Sequence, residues 1–291
     1  MTHFPTIPGF LYRRIEANGV ILNVALGGSG APLLLLHGAP QNHLMWRKIA
    51  PGLAEKFTVV APDLRGYGQS DKPEGGGDHS AYAKATMARD NLALMQALGF
   101  TRFHLCGHDR GARVARRLAK DFPDAVERLA ILDIAPTAHI YNNLTLPVAR
   151  NLWHWFALIQ PAPVPELLLG PSAHAYVHGA ARLIPGTDEA VAAAYAAGSG
   201  TAEGFHAMCE DYRAGASIDL DHDIGDAEIK ITAPTLVLYG AKSPSTGLIF
   251  NIPAIWAGEV ETLSCQALDC GHFLPEEKPA ETVAALVAHF S

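Results

Sequence analysis

Short apolar runs without alternation recur along the first half of the chain, separated by longer stretches whose apolar residues return at helical spacing. Residues 33–36 are four consecutive leucines ending in His37-Gly38, residues 57–61 lead into the turn-rich "PDLRGYGQSDKP", and residues 129–132 end at Asp133. Runs of this kind predict strands buried on both faces, as in a mainly parallel sheet. Residues 80–98 carry a helical pattern closed by Gly99, and "FHLCGHDRGARVARRLAKDFP" reads as strand, sharp turn and helix, the helix stopping before Pro123. After Pro136 the rhythm changes. Residues 137–222 hold helical segments and several prolines but no strand pattern, until residues 234–240, "PTLVLYG", restore it. A last helix follows the loop "CGHFLPEEKP". The pattern predicts an α/β core over residues 1–136 and 223–291, interrupted after the sixth strand by a helical cap over residues 137–222. Such a cap would roof the carboxyl ends of the strands, where open sheets bind ligands.

The remaining composition narrows the function. A length of 291 residues with 49% apolar residues suits one sizeable core with an inserted unit, and a net charge of −7 argues against nucleic acid as partner. No leader pattern and no apolar run long enough to span a membrane is seen, so a soluble, cytoplasmic protein with no membrane partner is expected. The cysteines at 106, 209, 265 and 270 form no CxxC pair, which predicts reduced, mostly buried thiols and no metal site. No cofactor is indicated.

The candidate chemistry centres on "GHDRG", residues 107–111. A small-x-nucleophile-x-small sequence at a strand-to-helix turn presents its central side chain above the sheet. Here that side chain is Asp109, and the helix N-terminus favours its ionised form. A carboxylate attacking an ester would form a labile anhydride. Its attack on a saturated carbon bearing a leaving group forms an ordinary ester, which water can later cleave. Alkyl halides and epoxides both offer such a carbon. Cleaving the ester needs a general base and an orienting acid. His272 is the candidate base. The loop after "PTLVLYG" has no acid, which leaves Asp133 as the candidate orienter. Backbone N–H groups of Ala39 and Arg110 are the candidate oxyanion donors. Arg110 and Arg113 share a helix face, and a guanidinium can grip a carboxylate with two parallel hydrogen bonds. Arg116 and Arg117 lie roughly 4.5 Å or more beyond Arg113 and are expected to be surface charges. His37 and His108 are expected to orient loops around the site, and Asp63 to stabilise its own turn.

Through "HGAPQNHLMW", "GHDRGARV", "LDIAPT", "WHWFALIQPAP", "CEDYRAGA" and "GHFLPEE", the chain resembles the fluoroacetate (haloacetate) dehalogenases of the α/β-hydrolase fold. The resemblance implies nucleophile Asp109, water-activating pair His272 and Asp133, and carboxylate-binding Arg110 and Arg113. It also implies halide donors His154, Trp155 and Tyr212, a small haloacid as substrate and a homodimeric assembly. One position departs from the family pattern. Ala39 stands where a large aromatic usually follows histidine-glycine, and the smaller side chain predicts tolerance of bulkier 2-halo acids. An epoxide hydrolase is the alternative within the fold, requiring cap tyrosines from among Tyr141, Tyr176, Tyr195 and Tyr212. The paired arginines speak against it, since a neutral epoxide gives them nothing to bind. A non-catalytic receptor on the same scaffold would have no use for a water-activating pair.

Overall fold

The four leucines at 33–36 are completely buried because strands flank them on both edges and helices cover both faces. The computed structural model describes residues 4–291. Its strands are β1 (Leu11–Ala17), β2 (Val20–Gly27), β3 (Ala31–Leu36), β4 (Phe57–Pro62), β5 (Phe103–His108), β6 (Val126–Leu132), β7 (Thr235–Gly240) and β8 (Leu263–Leu268). They form one sheet in the order β1-β2-β4-β3-β5-β6-β7-β8, with β2 antiparallel to both neighbours and every pairing from β4 to β8 parallel. Alternate side chains feed two cores. Leu34, Leu36, Leu105, Leu129, Ile131 and Val237 join one, and Leu33, Leu35, Cys106, Ala130, Leu132 and Leu238 join the other.

The core helices are α1 (Ala50–Ala54), α2 (Lys84–Ala97) and α3 (Arg110–Asp121). The cap is built from α4 (Thr137–Asn142), α5 (Leu146–Asn151), α6 (Trp153–Leu158), α7 (Val164–Leu168), α8 (Ala173–Arg182), α9 (Glu189–Ser199), α10 (Ala202–Gly215) and α11 (Ile218–Gly225). The chain then completes the core with α12 (Ile252–Ala257), α13 (Leu274–Glu277) and α14 (Pro279–Phe290). The boundary expected at residue 222 thus falls inside α11. The cap enters after β6 and leaves before β7, so its helices stand over the carboxyl ends of the strands.

Three strands lie outside the sequence-based reading. β1 carries Arg13, Arg14 and Glu16 and exposes most of its residues, and β8 also exposes much of its length. Both are edge strands, where charge and polarity protect unpaired backbone and erase the apolar run. β2, antiparallel between β1 and β4, completes the hairpin with β1. The helix expected over residues 80–98 begins four residues later, at Lys84, after a short 3₁₀ turn at Ser80–Tyr82. Among the described residues no helix is long and apolar enough to cross a membrane.

Candidate active site

Parallel topology brings the ends of β3, β5, β6, β7 and β8 into one row, and the loops leaving them carry Ala39, Asp109, Asp133, the 241–248 segment and His272. The strand order reverses direction between β3 and β5, which opens a crevice there. Asp109 occupies the turn between β5 and α3 with φ 49° and ψ −120°, a backbone conformation that only a strongly determined site imposes on a residue with a side chain. The flanking glycines permit it. A Cβ on Gly111 would lie 2.3 Å from the carbonyl oxygens of Leu36 and His37, and one on Gly107 2.5 Å from that of Gly111. α3 therefore packs backbone to backbone on the end of β3. This brings Asp109 under the Ala39 N–H, which donates to its Oδ1 at 3.0 Å. The Arg110 N–H, the second expected oxyanion donor, makes no hydrogen bond to this carboxylate among the described residues; as the first residue of α3 it is one of the donors without an intrahelical partner.

His272 lies between two carboxylates. Its Nδ1 donates to Asp133 Oδ2 at 2.6 Å, and its Nε2 is 3.8 Å from Asp109 Oδ2. Burial opposes protonation of this imidazole and is the largest single influence. The hydrogen bond and charge of Asp133, aided by Asp109, outweigh it and raise the pKa above the usual histidine value. Asp109 is shifted the other way. Burial alone would raise its carboxyl, but His272, His108 and the two arginines hold it below the ordinary carboxylate range. His108 Nε2 donates to the His272 carbonyl at 2.9 Å, and burial lowers His108 to about 4, so it holds the loop as a neutral ring. His37 accepts from the Leu64 N–H through Nε2 and so pins the start of the next loop. Asp63 accepts from the Gln69 N–H of its own turn and also from the backbone and ring of His43, reaching further than its turn.

The two arginines have different surroundings. Arg110 is fully engaged by the cap: Nε and Nη2 donate to the Asp211 carboxylate at 2.7 and 2.8 Å, and Nη2 also reaches the Asp211 carbonyl. Asp211 in turn accepts from Tyr67 and Lys84. Arg110 does not line the cavity. Arg113 does, and among the described residues it has no carboxylate partner. Its Nη1 donates to the Ala135 carbonyl at 3.0 Å and the Thr137 hydroxyl at 2.7 Å, both neutral, while Nε is buried without any partner. Burial, with the nearby charge of Arg110, lowers Arg113 to about 10, so it remains a cation at neutral pH. Arg116 and Arg117 are not the surface charges expected. Arg116 pairs with Asp223 and Glu259, and Arg117 with Asp121 and Asp226, because α11 and the turn after α12 cover that end of α3.

A cavity of about 200 Å³ lies over this row, and Ala39, Asp109, Arg113, Asp133, His272, His154, Trp155 and Tyr212 all line it. The cap donors are tied to the arginines through their rings. Arg113 sits 4.8 Å from the Trp155 ring and Arg110 4.1 Å from that of Tyr212. His154 meets Tyr212 edge to face, and burial lowers its pKa to about 4, leaving a neutral ring with one N–H. Burial also keeps the Tyr212 phenol protonated. Among the described residues the ring N–H groups of His154 and Trp155 and the Tyr212 hydroxyl make no hydrogen bond to protein, and all three residues line the cavity. No group of three or more His, Cys, Asp or Glu is placed to hold a metal ion among the described residues.

Reading the chain alone missed Asp211, although it lies in the quoted "CEDYRAGA", and it missed Ser243 and Thr246, whose hydroxyls reach Asp133. Asp211 gave no signal as one of many helical acids. The hydroxyls could have been noticed as the polar residues standing in a loop that lacks the expected acid.

The α/β-hydrolase fold model matches residues 31–279. A fluoroacetate dehalogenase of Burkholderia sp is 42% identical over 286 residues, covering 96% of this chain and 93% of that protein. A soluble epoxide hydrolase of Corynebacterium sp. (strain C12) is 33% identical, covering 94% of this chain and 95% of that one. The solved structure of an α/β hydrolase from Nostoc sp PCC 7120 superimposes with a TM-score of 0.95 at 43% identity, covering 98% and 99% of the two chains.

Proposed function

The chain belongs to the α/β-hydrolase fold family, and on that premise we propose that it is a haloacid dehalogenase, converting a haloacetate and water to glycolate and halide through an ester on Asp109. The observation that carries this reading is Arg113. A buried guanidinium without a carboxylate partner costs several kcal/mol unless a ligand supplies the missing charge. In this cavity it faces an ionised nucleophile and three neutral donors. A substrate with a carboxylate on one side of its reacting carbon and a halide on the other answers both ends.

The steps follow from the geometry. Asp109 Oδ1 is held by the Ala39 N–H, which leaves Oδ2, on the His272 side, to attack the halogen-bearing carbon. The C–halogen electron pair leaves with the halide. Fluoride ordinarily depends on water for stabilisation as it departs, and the N–H and O–H groups of His154, Trp155 and Tyr212 take that part here. His272 Nε2 then removes a proton from water as the oxygen attacks Asp109 Cγ. Charge developing on Oδ1 is met by the Ala39 N–H. Collapse of the adduct breaks the Cγ–Oδ2 bond, glycolate leaves with that oxygen and takes the proton from His272, and loss of the remaining proton to solvent restores the Asp109 carboxylate.

Epoxide hydrolysis is the second reading, since Tyr176 and Tyr212 line the cavity and the Corynebacterium relative is an epoxide hydrolase. It leaves Arg113 without a counterion. Halide release followed with a fluoride-selective electrode on fluoroacetate, and by chloride assay on chloroacetate, beside diol formation from styrene oxide, separates the two. Release from both haloacetates with no diol is expected; diol alone would replace this proposal by the second reading. Ala39 adds a specificity expectation. 2-Fluoropropionate should turn over at a rate comparable to fluoroacetate, and its complete exclusion would remove the argument from side-chain volume.

A further inference from the structure

The loop after β7 contains no carboxylate, yet two of its hydroxyls are fully buried and directed at Asp133 on the neighbouring strand end. We propose that Ser243 and Thr246 are positioning residues that hold Asp133 in register with His272 for the step in which water cleaves the aspartyl ester. The proposal rests on the dehalogenase reading above.

A carboxylate offers about four lone-pair directions, and all those of Asp133 are taken. Oδ1 accepts from the Gly240 N–H at 2.8 Å and the Thr246 hydroxyl at 2.6 Å, and Oδ2 from the Ser243 hydroxyl at 2.7 Å and His272 Nδ1 at 2.6 Å. The loop's backbone is closed on itself to carry the hydroxyls there: Ser243 N–H donates to the Gly240 carbonyl, and the Thr246 and Leu248 N–H groups to that of Ser243. Asp133 also needs the support. Its φ of 52° is a left-handed conformation that a residue with a side chain keeps only when its surroundings demand it. Without the Thr246 hydroxyl, which holds the oxygen facing away from His272, the carboxylate would be free to rotate away from the imidazole.

Ser243 and His272 share the same oxygen, so the serine also limits the negative charge the imidazole meets. Removing it concentrates that charge on Nδ1–H and favours the imidazolium. The base then becomes protonated at a higher pH. The other groups facing His272 are Asp109, Glu277 in the following helix, and the neutral rings of His108 and His154. None of them is touched by a change at Ser243 or Thr246.

The test compares Ser243→Ala, Thr246→Val and Thr246→Ser with the unmodified enzyme on chloroacetate, by rapid quench across a pH series. The first halide per site reports attack by Asp109, and the later steady rate reports ester hydrolysis. Ser243→Ala and Thr246→Val should release the first halide within about twofold of the normal rate and hydrolyse the ester about tenfold more slowly, the scale of one lost hydrogen bond to a charged group. The acidic limb of the steady rate should move to higher pH in Ser243→Ala. Thr246→Ser, which keeps the hydroxyl, should recover most of the rate. If both steps fall together with an unmoved limb, the hydroxyls merely support the fold and the proposal is wrong; the same holds if the ester is cleaved at the normal rate. Absence of halide release by the unmodified enzyme would instead overturn the dehalogenase reading itself.

Discussion

At the scale of single residues, the two arginines of α3 separate stability from function. Arg110 and Asp211 form a buried, doubly hydrogen-bonded pair, and removing one partner leaves the other charge uncompensated. Asp211→Ala should therefore lower unfolding free energy by about 3–5 kcal/mol in chemical denaturation. Arg113 has no such partner among the described residues. Arg113→Met should leave stability unchanged or slightly raised, while KM for a haloacetate rises by about one to two orders of magnitude, the loss expected for charge-assisted hydrogen bonds. A stability loss in Arg113→Met with KM unaltered would show that the arginine serves the fold instead. The pH profile has a definite sign. His272 must be neutral to take a proton from water, and its pKa is raised above the ordinary histidine value of about 6.5. The acidic limb of turnover should consequently lie above that value; a limb near 4 would place the titration on a carboxylate.

At the scale of elements, the elbow depends on how closely α3 approaches β3. A methyl group at Gly111 would meet two carbonyl oxygens at 2.3 Å, and neither can move without breaking the strand end. Gly111→Ala is expected to cost about 1–3 kcal/mol through overpacking and to abolish turnover by shifting Asp109. Retained activity with normal stability would mean that the elbow is not the catalytic turn. This part of the site was legible in the sequence because glycines, an aspartate and a following helix all point to one geometry. β3, β4, β6 and β7 were legible for a related reason, being short unbroken apolar runs. β1 and β8 were not, since edge strands carry polar residues that match no buried template. The fate of Arg110 was equally hidden. Residues 110 and 113 lie on one helix face, but which of them meets a carboxylate depends on where α10 of the cap arrives, a contact across about a hundred residues of chain. Likewise, Asp133 as the partner of His272 could be expected by elimination, whereas the hydroxyls bonded to it became visible only when β6 and β7 were side by side.

At the scale of the whole molecule, the cap and core close over a cavity lined by Asp109 and Arg113 at the start of the core helix α3, by Asp133 and His272 from core loops, and by His154, Trp155 and Tyr212 of the cap helices α6 and α10. A haloacid bound there should join the two units and be absent from the unfolded chain. With Asp109→Asn, which binds without reacting, a haloacetate at about a hundred times its Kd should raise the melting temperature by about 5 °C. The double variant Asp109→Asn, Arg113→Met should show at most about half that rise at the same concentration. An equal rise in both would place the acid elsewhere. The central claim is that Asp109 forms an ester that only His272 allows water to cleave, and it is tested most directly by incubating His272→Asn with chloroacetate and measuring halide together with intact protein mass. One halide per site should appear, followed by arrest, with a single carboxymethyl group mapped to Asp109. Continued halide release, or arrest with no mark on Asp109, would contradict the two-step scheme.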